Sequence, residues 1–219
     1  MFSRARRRQF VRFLQDASGA SMVEFSIVAF FFLILVSGVI DFAVGWYQWN
    51  SASKALQAGV RLAAVSDPVS SDLETLTGME SGANPGDPMP AFERVCRGDT
   101  ASCSGGGAYN AAAMNTIVFG RGQSTCGTIG ADLTPGMCDV FRRIRPENVI
   151  LTYRHTGLGF AGRPGAAGRA GGPVPTIAVE LTGLTYNYAF LGGLMGFGPI
   201  TIPPMRITAT GEDLATIAN

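Results

Sequence analysis

Proline is absent from the first 67 residues, and all twelve prolines occur from Pro68 onward. All four cysteines and 25 of the 29 glycines also lie beyond residue 67. Because proline and glycine interrupt helices, their scarcity excludes an obvious break in the N-terminal part. We therefore expect one long helix over residues 20–66, ending at Asp67 because the residue before a proline is driven out of the helical region. The remainder, residues 67–219, is expected to be loop-rich.

Histidine is also scarce, and His155 is the single one. The chain contains no G-x-S-x-G, P-loop or H-E-x-x-H motif, so we expect no enzyme and interpret His155 as a turn residue. Residues 157–162 spell G-x-G-x-x-G, but the proline and glycines that follow cannot open the helix that a dinucleotide site needs. The stretch 157–172 is instead typical of a hairpin loop. We expect no cofactor and no small-molecule substrate.

Charge is distributed unevenly along the chain. Residues 1–19 carry five arginines and one aspartate, whereas the remaining 200 residues carry 12 basic and 15 acidic side chains. This mildly acidic remainder argues against nucleic-acid binding. A basic tip beside an apolar run indicates a cytoplasmic anchor by the positive-inside rule, although a disordered basic tail would have the same composition. The predicted membrane-interface arginines are Arg4, Arg6, Arg7, Arg8 and Arg12.

An apolar run follows this basic leader. Residues 25–40 carry no formal charge, and the 21 residues from Ala20 to Ile40 match the roughly 20 that cross a bilayer. We expect a single transmembrane segment at about residues 20–41, with the N-terminus in the cytoplasm and residues 67–219 in the periplasm. Trp46, Tyr47 and Trp49 fall where an interfacial aromatic belt would form.

Glu24 lies at the edge of this run, where a charge opposes insertion and so suggests a function. Together with Gly19, Ala20 and Phe25 it resembles the processing site of type IV pilin-like proteins. The block from Gly19 to Val65 resembles the TadE-like family, minor pseudopilins of the tight-adherence (Flp-type) pilus.

The resemblance has specific implications. A prepilin peptidase would cut between Gly19 and Ala20 in the bacterial inner membrane. Glu24, beside Phe25, would then face the N-terminal amine of a neighbouring subunit. The expected partners are membrane lipid, the prepilin peptidase, and other pilins and pseudopilins of the Tad apparatus. The mature protein would be extracellular wherever it entered a pilus.

The outer region is predicted to be a small antiparallel sheet on the exposed end of the long helix, a pilin-like α+β fold. Candidate strands are residues 116–119, 148–154, 176–188 and 200–210, and a helical turn is expected near residues 72–76. An even number of cysteines in an oxidising compartment predicts two disulfides. Of the three connectivities we predict local pairing, Cys96 with Cys103 and Cys126 with Cys138. Their spacing does not suggest a metal site.

Two other functions agree with parts of this pattern. One is a permanently anchored single-pass envelope protein whose outer domain binds a ligand or partner. The other is an exported soluble protein, because Arg7 and Arg8 resemble a twin-arginine signal. A permanent anchor would keep its arginines, and an exported protein would lose the whole apolar run.

Overall fold

The computed structural model describes residues 17–127, 134–164, 173–211 and 214. The five leader arginines and residues 165–172 of the glycine-rich stretch lie outside these ranges. The described chain divides into two compact units. One contains the N-terminal helix up to Gly45 together with Asn187–Pro199, and the other contains Trp46–Tyr186 and the chain from Ile200 onward.

The predicted long helix is confirmed as α1, Ala17–Ala64. The helix is described from Ala17 onward, and its C-terminal end lies two residues before the predicted one, within the usual uncertainty at helix termini. Within the second unit, one face of this helix is buried. The buried positions recur at helical spacing and include Ala52, Ala55, Leu56, Val60 and Ala63.

A five-stranded antiparallel sheet forms the other layer of the second unit, with strand order β2-β1-β3-β4-β7. Its strands are β1 (Glu93–Arg97), β2 (Ser102–Ser104), β3 (Val149–Arg154), β4 (Thr176–Leu181) and β7 (Met205–Thr210). A separate two-stranded sheet joins β5 (Thr185–Tyr186) and β6 (Ile200–Thr201). Three short 3₁₀ turns occupy Ser71–Glu74, Met79–Ser81 and Pro146–Asn148. The first of these confirms the predicted helical turn.

Every second side chain along a strand faces the same side of the sheet, and one of these sets is buried. In β3, Val149, Leu151 and Tyr153 are buried, while the residues between them are partly exposed. The helix packs against this layer, and the Ser53 hydroxyl lies 3.5 Å from the Met205 sulfur on β7. The α+β, pilin-like arrangement of a long helix on an antiparallel sheet is therefore confirmed.

Both predicted disulfides are present, Cys96–Cys103 and Cys126–Cys138. The first joins residues that are directly opposite each other on β1 and β2. It therefore links a hairpin that lies at the edge of the sheet.

The predicted strand at residues 116–119 is wrong, because these residues form the end of helix α2, Ala111–Phe119. The side chain of Asn110 caps this helix by accepting a hydrogen bond of 3.1 Å from the Ala113 amide. Three alanines then supply strong helix formers. The upstream cap and alanines override the strand preference of the β-branched residues that follow.

The two long predicted strands are each interrupted. Residues 176–188 divide into β4 and β5 around Gly183, whose φ of 69° ends the extended run. Residues 200–210 divide into β6 and β7 because Pro203 and Pro204 cannot donate ladder hydrogen bonds. Two short helices complete the described elements, α3 (Met137–Val140) and α4 (Leu191–Met195).

Tyr153 provides a test of this core. It is fully buried, and its hydroxyl accepts a 3.1 Å hydrogen bond from the Val69 amide. Burial raises the pKa of the Tyr153 phenol above its usual value of about 10, and the hydrogen bond from Val69 opposes the shift. The folded state thus holds this proton more tightly than the unfolded chain does. Its contribution to stability is complete below about pH 10 and is lost as the pH rises further.

We expect Tyr153→Phe to lower the free energy of unfolding by about 1–3 kcal/mol at neutral pH, because the Val69 amide loses its acceptor. The same variant should lose less stability than the wild type as the pH rises above about 10. Urea unfolding of the full chain in detergent, followed by near-UV circular dichroism, measures both effects. Tyr47→Phe, at an exposed position on α1, is the matched control. An unchanged alkaline slope in Tyr153→Phe would contradict this account of the core.

Candidate functional site

The predicted processing and assembly residues lie together near the start of α1. Gly19, Ala20, Glu24 and Phe25 are all exposed. Ala20 and Glu24 are four residues apart and therefore lie on the same helix face. A Cβ atom built on Gly19 meets no atom within 4 Å. Within the described chain, both residues that flank the Gly19–Ala20 bond are therefore accessible.

The next part of α1 is an apolar surface. Almost every large side chain between residues 22 and 44 is exposed, and the helix is long and apolar enough to cross a membrane. The exposed apolar side chains of this stretch are Met22, Val23, Phe25, Ile27, Val28, Phe30, Phe31, Phe32, Leu33, Leu35, Val39, Ile40, Phe42 and Val44. Exposed patches of this kind mark membrane or protein contacts.

Asp41 is the exception on this surface, because only 1% of it is exposed. One of its carboxylate oxygens accepts a 2.7 Å hydrogen bond from the Ala189 amide, and the other accepts a 2.8 Å bond from the Leu191 amide. The Phe190 amide lies between them, 3.2 Å from each oxygen. Three successive backbone N–H groups at the start of α4 thus surround one carboxylate, a favourable environment for a negative charge.

The sequence did not predict this contact. The partners are backbone amides about 150 residues away, so no side-chain pattern identifies them. The one sequence signal for this contact is an acidic residue directly after an apolar run. A carboxylate that is buried there requires hydrogen-bond donors.

Residues 19–61 match the protein family described as TadE-like protein. This stretch is a TadE-like domain. It covers the predicted processing residues, the apolar surface, Asp41 and the first turns of the buried helix face. Neither the comparison with curated proteins nor that with solved structures finds a match.

Proteins of the TadE-like family are associated with components of the Tad pilus and are generally non-enzymatic. Its long apolar helix is consistent with a membrane anchor or a signal. The three aromatic residues predicted to form a belt, Trp46, Tyr47 and Trp49, are exposed on α1 beyond Asp41.

The other features that the sequence analysis considered as sites lie outside the TadE-like domain. His155 lies after β3, where its Nε2 atom accepts a 3.2 Å hydrogen bond from the Gly157 amide, as a turn residue would. Within the described part of the glycine-rich stretch, residues 157–164, no helix follows the glycines. In the residues that the structure describes, no group of three or more acidic, histidine or cysteine side chains is arranged to hold a metal ion.

The contact between Asp41 and the amides of residues 189–191 leads to a direct prediction. Asn in place of Asp41 removes the charge and replaces one of the two acceptor oxygens with an NH2 group, which then faces a backbone donor. Hydrogen bonds to a charged group contribute about 1.5–3 kcal/mol, so exchange of the Ala189, Phe190 and Leu191 amides should accelerate roughly 10- to 150-fold in Asp41→Asn.

Hydrogen–deuterium exchange of the full chain, read at peptide resolution, measures this acceleration. Peptides from β3 report on the second unit and should keep the wild-type rate. Equal protection of residues 189–191 in the two proteins would show that the Asp41 carboxylate does not hold this segment.

Proposed function

We propose that this chain is a minor pseudopilin that a prepilin peptidase processes and that takes part in assembly of a Tad (Flp-type) adhesive pilus. The observation that carries the proposal is the spacing of Gly19 and Glu24 on an exposed apolar helix within a TadE-like domain. Single-pass insertion in the bacterial inner membrane, with the outer domain in the periplasm, is part of the proposal. So is a leader that contains the arginines of residues 1–19.

Processing requires access to one peptide bond. The Gly19–Ala20 bond lies in α1, which is described from Ala17 onward, and Gly19 and Ala20 are both exposed. Helical segments with few buried apolar contacts open locally at a low free-energy cost. A peptidase can therefore draw this bond into an extended conformation without disturbing a packed core. Hydrolysis adds one water molecule and produces a carboxylate on Gly19 and an amine on Ala20.

The new amine gives Glu24 a partner for assembly. A charged carboxylate in an apolar setting is expensive unless an opposite charge is near. In the proposed packing, the Glu24 carboxylate meets the Ala20 ammonium of a neighbouring subunit. Two such charges about 4 Å apart attract by roughly 4 kcal/mol at an effective dielectric constant of 20. This attraction fixes the axial register between helices whose remaining contacts are apolar and non-directional.

The outer domain is proposed to be the part that remains folded outside the membrane. Its sheet and two disulfides belong to the second compact unit. Disulfides of this kind persist in oxidising compartments, which agrees with a periplasmic location. We assign no catalytic residue and no cofactor.

Deletion of this chain in a host that makes Tad pili tests the function. We expect fewer surface pili by electron microscopy, restored by the wild-type chain and not by a chain that lacks residues 1–24. An unchanged pilus number after deletion would contradict the proposal. That result would favour a permanently anchored envelope protein with another partner.

A further inference from the structure

The segment Asn187–Pro199 forms one compact unit with the N-terminal part of α1. It lies within the longest stretch of the chain without a formal charge, the 25 residues between Glu180 and Arg206. Three of its large apolar side chains, Phe190, Met195 and Phe197, are 50%, 53% and 53% exposed. An uncharged segment that presents half-exposed apolar side chains resembles the surface of the adjacent helix more than it resembles a water-facing loop.

The segment is held against the helix at a defined point. Asp41 binds the amides of residues 189–191, and Leu191 lies one helical turn away beside Gly38. The Leu191 Cδ1 atom is 4.0 Å from the position that a Cβ atom on Gly38 would occupy. The ring centroids of Tyr188 and Phe197 lie 5.8 Å apart, so these rings bring the two ends of the segment together.

The position of Asp41 along α1 determines how deep in the membrane this contact would lie. Ala20 and Asp41 are 21 residues apart, which corresponds to about 32 Å of helix, close to the roughly 30 Å thickness of the hydrocarbon core. If the span begins near Ala20, Asp41 lies at the outer boundary of the hydrocarbon. Trp46, Tyr47 and Trp49 then follow within the headgroup layer, where aromatic residues concentrate.

The hydrogen bonding of the segment suits an apolar surrounding. Backbone amides that face hydrocarbon must find partners within the protein. The Asp41 carboxylate supplies acceptors for three of them, and the Gly196 amide donates to the Gly192 carbonyl over 3.1 Å. The same bonds satisfy the carboxylate, which would otherwise be costly at this depth.

We propose that Asn187–Pro199 is a second membrane-contacting segment, which Asp41 holds against the helix through hydrogen bonds. This segment inserts Phe190, Met195 and Phe197 into the outer-leaflet interface. The occupant of this surface is lipid, because the segment continues the apolar surface of the candidate span at the outer boundary of the hydrocarbon. The inference rests on the membrane span of the proposed function.

Photo-crosslinking of the full chain in liposomes of phosphatidylethanolamine and phosphatidylglycerol tests the proposal. A benzophenone amino acid replaces Phe197, Phe31 within the candidate span, or Phe160, which is 45% exposed in the second unit. Mass spectrometry then counts lipid adducts. We expect adducts at positions 197 and 31 at least about tenfold above those at position 160, because interfacial segments lie among headgroups and upper acyl chains.

The three crosslinking positions distinguish failure of this inference from failure of the proposed membrane span. Adducts at position 31 without adducts at 197 overturn this inference and leave the span intact. Crosslinks from position 197 to a second copy of the chain overturn it in favour of a subunit contact. An absence of adducts at both 31 and 197 contradicts the span itself and, with it, the inference.

The contact between Asp41 and the amides of residues 189–191 is tested separately in the same liposomes. Asp41→Asn should lower lipid adducts at position 197 several-fold and leave those at position 31 unchanged. An unchanged yield at 197 overturns the part of the proposal that assigns this positioning role to Asp41. Wild-type exchange protection of β3 in the variant verifies that the second unit remains folded.

Discussion

Replacing Glu24 with glutamine is expected to reduce incorporation into pili strongly while leaving cleavage after Gly19 nearly unchanged. Glu24 is exposed on α1, so the substitution removes a charge without disturbing a packed core. If the carboxylate pairs with the amine of a neighbouring subunit, its loss removes up to roughly 4 kcal/mol of attraction, a decrease of up to about 1,000-fold in association. The ratio of assembled to processed protein, measured by immunoblot of sheared pili and membranes, reports the effect.

A matched control uses a different exposed carboxylate. Glu74 lies in the 3₁₀ turn Ser71–Glu74 of the outer domain and is also exposed. Glu74→Gln makes the same chemical change and should leave both processing and incorporation at wild-type levels. Wild-type incorporation of Glu24→Gln would refute the assembly role of Glu24. A joint loss of cleavage and incorporation would instead assign Glu24 to recognition by the peptidase.

Valine in place of Gly19 is expected to block processing almost completely. A peptidase that cuts after glycine brings its own backbone close to a position without a Cβ atom, and a branched side chain occupies that space. We expect the cleavage rate to fall by about 100-fold or more, equivalent to roughly 2.7 kcal/mol of lost transition-state binding. Pulse-chase labelling followed by intact mass analysis measures the rate.

The structure makes this substitution a clean probe of the peptidase. A Cβ atom built on Gly19 meets no atom within 4 Å in the described part of the chain, so the substitution displaces none of the packing that is described there. Gly193 on α4 also has open space around it, and Gly193→Val is the corresponding control with a wild-type cleavage rate expected. Cleavage of Gly19→Val at the normal rate would show that processing does not occur at this glycine.

The long helix and the central strands were predictable because local signals agreed with the final packing. The lack of proline before Pro68 predicted α1, and the β-branched run of β3 predicted a strand that the structure places at Val149–Arg154. Residues 116–119 have a similar strand-like composition but form a helix. There the deciding signals, the Asn110 cap and the alanines after it, lie upstream of the run.

The contact at Asp41 was not predictable from local pattern. Its partners are the backbone amides of residues 189–191, and every residue type except proline has such an amide. Pattern reasoning identifies side chains, so it located Asp41 at the end of an apolar run and found nothing to pair with it. By contrast, Gly19 and Glu24 could be predicted as processing and assembly residues, because that resemblance depends on residue types at a fixed spacing.

The N-terminal residue of the protein purified from its native membrane is the most direct test of the account. Intact mass and N-terminal peptide analysis should be made in cells with and without the prepilin peptidase. The account predicts an N-terminus at Ala20 that disappears when the peptidase is absent. Retention of the arginine-rich leader in both strains would contradict it and indicate a permanent anchor, and an N-terminus beyond Ile40 would contradict it in favour of an exported soluble protein.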